Sequence, residues 1–196
     1  VLQSLQRAYK DENAGNKQKK LSLLGESILV VLFLSLFVIY LAVFRPNYAR
    51  RTSVMLFFCL QIFIVIALAC LALRFGLSIY LVPFAWVAIL TRVFLDSRTA
   101  LSLHLTTILI TSVIVPAPVE FFFIQMAVGM VAVSSLFDLT RRAQLLQTAG
   151  WILLAESIAY TAITFAQTGV FTTIVAWNYL YFFISALLIV GCYGLI

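Results

Sequence analysis

LVPFAWVAILTRVFLDSRTALSLHLTTIL, residues Leu81–Leu109, is the stretch whose reading decides the fold. Two apolar runs flank a short charged joint made by Arg92, Asp96 and Arg98. A soluble amphipathic helix would carry polar residues along one whole face. Here the charges are confined to the joint, which suits two membrane spans meeting at a turn. Hydrocarbon offers no partners to backbone N–H and C=O groups, so each span must satisfy its own and polar turns collect at the interface. Short arginine-rich turns are retained on the cytoplasmic side.

The composition agrees with that reading. The chain has 196 residues, of which 64% are hydrophobic and 10% charged, with a mean hydropathy of +1.11. Soluble domains are roughly 45–50% apolar and about 25% charged. The formal net charge is +6. Arg45, Arg50, Arg51, Arg92, Arg98, Arg141 and Arg142 all fall in three short turns, so the charge reads as topology and not as a nucleic-acid footprint. Cys59, Cys70 and Cys192 lie in apolar runs without metal-ligand spacing, and are expected to be reduced and packed or lipid-facing.

Hydropathy predicts an all-α, polytopic membrane helix bundle with seven transmembrane helices. Val1, Leu2, Leu5 and Tyr9 recur at helical spacing, as in the end of a helix from a preceding extracellular domain. Residues Asp11–Asn16 read as a turn-rich break and Lys17, Lys19 and Lys20 as a linker or a headgroup contact, so 1–20 forms a lead-in. The bundle occupies 21–196, with spans at about 24–44, 54–73, 77–94, 99–115, 119–137, 148–166 and 174–196. The third is the least regular: seventeen uncharged residues lie between Arg74 and Arg92, near the lower limit for a span, and Pro83 interrupts them. If 77–94 were re-entrant, every later orientation would invert. If all seven cross, only Arg74 sits in a loop opposite the other arginines. The amino terminus is then outside and the carboxy terminus cytoplasmic.

Charges within spans are costly and are functional candidates by default. His104, Glu156 and Gln61 lie at depths of ~7–12 Å from the inner ends of their spans, so they could meet. Such a cluster could tie helices together, bind a ligand or sense protons. Arg74 and Glu120 would face one another or the headgroups at the outer interface. Arg92, Asp96, Arg98, Asp138, Arg141 and Arg142 line the turns that could couple to a cytoplasmic domain. Gln125 and Gly129 sit inside the fifth span, where the glycine would admit a neighbouring backbone. No catalytic constellation is present: one histidine, no glycine-rich phosphate loop, no GxSxG elbow and no HExxH.

Two segments carry a resemblance: LVPFAWVAILTRVFLDSRTALSLHLTTILI from Leu81 and VPAPVEFFFIQMAVGMVAVSSLFDLTRRAQLLQTAG from Val115. With the Asp96–Ala100 joint and the Asp138–Arg142 loop, they resemble the seven-span region of bacterial membrane proteins that carry a cytoplasmic HD hydrolase, the PgpH-type cyclic-di-AMP phosphodiesterases. The likeness covers about 21–196 and is nearest to Bacteroidetes members. It implies an extracellular domain before the spans, an HD domain with a divalent metal pair after them, and location in the bacterial inner membrane. The chain has no His-Asp dipeptide, so the metal pair and catalysis would belong to the HD domain, with no cofactor in these residues. The expected partners are the lipid bilayer, the protein's own flanking domains, an unknown signal ligand and a possible second copy in a homodimer, with no nucleic acid. A small carrier or channel using Glu156, His104 and Gln61 is the alternative reading.

Overall fold

In the computed structural model, which describes residues 2–136, 142–169 and 176–193, every regular element is helical. Helix α1 (Leu2–Phe44) is followed by a single turn, α2 (Pro46–Ala49), and by α3 (Thr52–Arg74). A 3₁₀ turn at Ile79–Leu81 leads into α4 (Ala85–Phe94), and then come α5 (Ser97–Ser112), α6 (Pro118–Ser135), α7 (Arg142–Thr168) and α8 (Ala176–Tyr193). Lys20–Phe44, Thr52–Arg74, Pro118–Ser135 and Leu146–Thr168 are each long and apolar enough to cross a membrane, whereas Ile79–Phe94 and Ala176–Gly191 are shorter apolar helical stretches.

Helix α1 runs through Asp11–Asn16 without the break that its residues suggest. Asp, Asn and Gly each cost a helix only up to about 1 kcal/mol relative to Ala, and propagation from the apolar run beyond Lys20 outweighs that. Its 43 residues make it ~64 Å long, about twice the thickness of hydrocarbon. Among the α1 side chains that are described, Phe37 and Leu41 are buried, Val30, Phe33 and Tyr40 pack partly buried against the core, and most other apolar ones are exposed.

The irregular segment before α4 explains how a run too short for a regular span joins the two ends of the bundle. Gly76, at φ +69°, ends α3 in a left-handed turn in which Gly76 N–H donates to the Leu73 carbonyl and Leu77 N–H to that of Ala72. Val82 is extended, as a residue before proline must be, and Pro83 then starts the chain into α4. Extended backbone gains up to ~3.3 Å per residue and helix 1.5 Å, so residues 77–84 and the ten residues of α4 together cover ~30 Å. The contacts agree. Tyr80, at one end of this stretch, hydrogen-bonds Glu120 at the start of α6. Asp96, at the other, meets Arg45 at the end of α1.

Polarity is arranged inside out. Helix α5 is more polar than α3, α6, α7 and α8, and packs against α1, α3, α4 and α6. Thr99, His104, Thr106, Thr107 and Thr111 are buried on it, while leucines, isoleucines and phenylalanines of α1, α3, α6, α7 and α8 lie exposed on the surface. Thr106, Thr107 and Thr111 donate to carbonyls one turn back, at 2.8 Å each. The helix thus absorbs its own hydroxyls and tolerates an apolar surround.

The start of α5 is fixed by Asp96. Its carboxylate accepts from Thr99 Oγ1 at 2.7 Å and from Thr99 N–H at 3.4 Å, and also receives Arg45 Nη2 at 2.6 Å. Asp96→Ala removes cap and ion pair together and is expected to cost ~1–3 kcal/mol. Asp96→Asn keeps a capping oxygen and should cost under ~1 kcal/mol. Denaturant unfolding of the purified chain in detergent, followed by tryptophan fluorescence, measures both.

Candidate functional site

The middle of the bundle is held by three polar side chains on three consecutive helices. His104 stands on α5, about 10 Å from the helix start, and is 2% exposed. Its Nε2 lies 2.9 Å from the carbonyl oxygen of Gln125 on α6, so Nε2 carries the proton and donates. Phe84, at the start of α4, presents its backbone toward the ring's other side. Nδ1 itself has no partner at hydrogen-bond distance.

Gly129, one turn along α6 from Gln125, is what lets the imidazole reach that carbonyl. A methyl group at Gly129 would overlap the ring, with Cδ2 and Nε2 the nearest atoms. The close approach expected of this glycine is therefore made by a side chain and not by a neighbouring backbone. The carbonyl is the i→i+4 acceptor that should serve Gly129 N–H, so the imidazole lies across the last exposed strip of α6 backbone.

Gln125 also reaches the other way. Its side chain is fully buried and faces the Glu156 carboxyl of α7, which is 2% exposed. His104 and Glu156 thus meet through Gln125, whose backbone serves one and whose side chain faces the other. Gln61 is not part of this group. It accepts from Thr91 Oγ1 at 3.4 Å and links α3 to α4. The three residues expected to cluster form two ties instead, because the intervening α4 supplies Gln61 with a nearer partner.

At the Glu120 end a second polar group is organised by aromatic rings. Tyr80 donates to Glu120 Oε1 at 2.6 Å. Its ring packs edge to face on Tyr160 and Phe182, at centroid distances of 6.0 and 5.2 Å, joining the turn before α4 to α7 and α8. Tyr179 meets Thr161 with an O···O distance of 2.7 Å. Arg74 is exposed at the end of α3, and Glu120 pairs with Tyr80 in its place. The bend at Pro83 brings the tyrosine closer than the arginine.

Of the turn residues, Asp96 is engaged as described, Arg98 is exposed, and Arg92 is half-buried with its Nε unpartnered. Asp138 and Arg141 lie outside the described residues, and Arg142 begins α7. Among the described residues no group of three His, Cys, Asp or Glu side chains could hold a metal ion. Cys59 and Cys70 are free and exposed.

Tyr80 and Gln125 were the residues least visible in advance. Tyr80 stands three positions before Pro83, in the least regular of the apolar runs, where nothing in the spacing points to Glu120. Gln125 is a single amide in an apolar helix, with nothing in its spacing to show that it faces two partners.

If Gly129 exists to admit the imidazole, Gly129→Ala is expected to destabilise the chain by ~1–3 kcal/mol through overpacking. His104→Ala should remove most of that cost when the two are combined. A double-mutant cycle on unfolding free energies reads the coupling, and additive effects would separate the two residues.

A family model described as "7TM receptor with intracellular HD hydrolase" matches residues 20–196. No curated protein and no solved structure matches the chain.

Proposed function

The chain belongs to the family of 7TM receptors with an intracellular HD hydrolase, and on that premise we propose that it is the signal-transmitting membrane domain of a cyclic-dinucleotide phosphodiesterase. In this reading seven helices cross the bacterial inner membrane, with the amino terminus outside and the carboxy terminus cytoplasmic. The alternation of contacts supports that threading: Arg45 with Asp96 at one end, Tyr80 with Glu120 and Ser78 with Asn178 at the other. The metal pair and the hydrolysis of cyclic-di-AMP belong to an HD domain outside these residues. A ligand or a preceding extracellular domain supplies the signal.

The observation that carries the proposal is the way α5 is held. Arg45, at the end of the 43-residue α1, grips the cap of α5 through Asp96. Eight residues further on, His104 presses α5 onto α6 at Gly129. A displacement of α1 relative to the bundle acts on α5 first and on α6 next. Gln125 then passes it to Glu156 on α7, and α7 packs on α8, the helix that would lead to the hydrolase. Such a relay works only if the signal binds two arrangements of these helices with different affinities. Interhelical polar ties worth roughly 0.6–2 kcal/mol each are of the size that lets one arrangement exchange for another.

Two experiments test this. Single cysteines at Arg98→Cys and Arg142→Cys, labelled in intact cells and in inverted vesicles, are expected to react from the same, cytoplasmic face. Reaction from opposite faces would overturn the threading. In the full-length protein in native membranes, Asp96→Asn and Gly129→Ala should change the rate of cyclic-di-AMP hydrolysis at least twofold at matched protein amounts. An unchanged rate in both would reduce the bundle to an anchor.

A further inference from the structure

Four side-chain atoms in the middle of the bundle have no hydrogen-bond partner: Gln125 Oε1 and Nε2, Glu156 Oε2 and Ser185 Oγ. Their side chains are 0%, 2% and 1% exposed, so water does not reach them from the surface. Gln125 faces Glu156 directly. The register of α7 against α8 brings Ser185 to the same level. Tyr160 packs on Tyr179 and Phe182 at 5.8 and 5.5 Å, and the two helices run in opposite directions. One turn inward from Tyr160 is Glu156, and one turn inward from Phe182 is Ser185.

Ser185 departs from the habit of the bundle. Thr107, Thr111, Ser157 and Thr161 each donate to a carbonyl one turn back on their own helix. Ser185 does not, and neither does Thr148, two turns before Glu156 on α7. A buried hydroxyl without a partner, on the level of a carboxyl with one unpartnered oxygen, costs on the order of 1–3 kcal/mol if nothing fills the layer.

We propose that this layer is a binding site for a small monovalent cation, sodium or an ammonium-type ion, held by the Glu156 carboxylate with Gln125 Oε1 and Ser185 Oγ as neutral oxygen ligands. The charge supports that class. Helices α6 and α8 contain no lysine or arginine, and the arginine of α7 is at its first residue, some fourteen positions from Glu156. Among the described residues the ion pair is Arg45–Asp96, at the bundle end. A carboxyl buried here is either neutral by protonation or balanced by a cation, and one carboxylate balances one positive charge. Oxygen ligands suit a hard cation, while the set lacks the several carboxylates that a divalent ion takes. On the Glu120 side the Tyr160 and Phe182 rings pack edge to face at 5.5 Å, one turn from Glu156 and Ser185. Tyr80 and Glu120 lie beyond them, where a cation would enter. The titratable groups around the site are Tyr80, Glu120 and Tyr160 on that side and His104 across Gln125. The proposal rests on the bundle alone and stands or falls apart from the hydrolase reading.

Thermal unfolding of the purified 196-residue chain in detergent tests it. Sodium, potassium, ammonium, magnesium and choline chlorides are compared at one ionic strength, at mildly acidic and mildly alkaline pH. Sodium or ammonium is expected to raise the melting temperature saturably, on the order of 5 °C over choline at the alkaline pH. The stronger of the two identifies the ion. Ser185→Ala should raise the half-saturating concentration about tenfold, and Glu156→Gln should abolish the dependence on cation. The wild-type series is decisive even if a variant does not fold. Equal melting in every monovalent salt at both pH values would mean that Glu156 holds only a proton, and greater stabilisation by magnesium would exclude a monovalent site. Either result overturns the proposal.

Discussion

Hydrocarbon supplies no hydrogen-bond partners, and that single constraint shapes where polarity can be put in this chain. Apolar side chains face outward, and the threonine-rich α5 packs against α1, α3, α4 and α6. Its hydroxyls are absorbed by its own backbone. Its histidine has no such recourse, because an imidazole cannot fold back onto the preceding turn. It must find an acceptor on another helix, and it finds the Gln125 carbonyl because Gly129 leaves the α6 backbone bare. The packing of α5 on α6 follows from that one need.

The same constraint explains the irregular stretch before α4. Non-helical backbone at membrane depth is tolerated only where protein covers it. Ile79, Tyr80, Val82 and Phe84 are buried, and the rings of Tyr160 and Phe182 cover Tyr80. Pro83 trades helical rise for extension, and the segment gains the reach that its length alone would deny it. It also frees Tyr80 to turn toward Glu120, which a regular helix at that level would not allow.

A few contacts fasten α1 to the bundle. Among the described residues α1 engages the rest through Val30, Phe33, Phe37, Tyr40 and Leu41 on the core, with Phe37 against Phe58, and through Arg45 on Asp96. A long helix fastened at one end is suited to transmit displacement, whereas one buried along its length would be locked. Membership of a receptor family and this sparse attachment point the same way.

Residue chemistry by itself determined the class of molecule, the helical content and the polar turns, and it singled out Asp96, His104, Glu156 and Gly129 as candidates. Those readings need only hydropathy and the cost of burying charge, which are properties of each residue. Tertiary structure alone decided who meets whom: Gln125 between His104 and Glu156, Thr91 with Gln61, Tyr80 in place of Arg74 beside Glu120, and Arg45 on Asp96. Depth along a span can be counted from the chain, but the rotation of each helix about its axis and the choice of neighbours cannot. Nearly uniform apolar faces leave no stripe to fix that rotation, so it is set by the few polar groups once the helices pack.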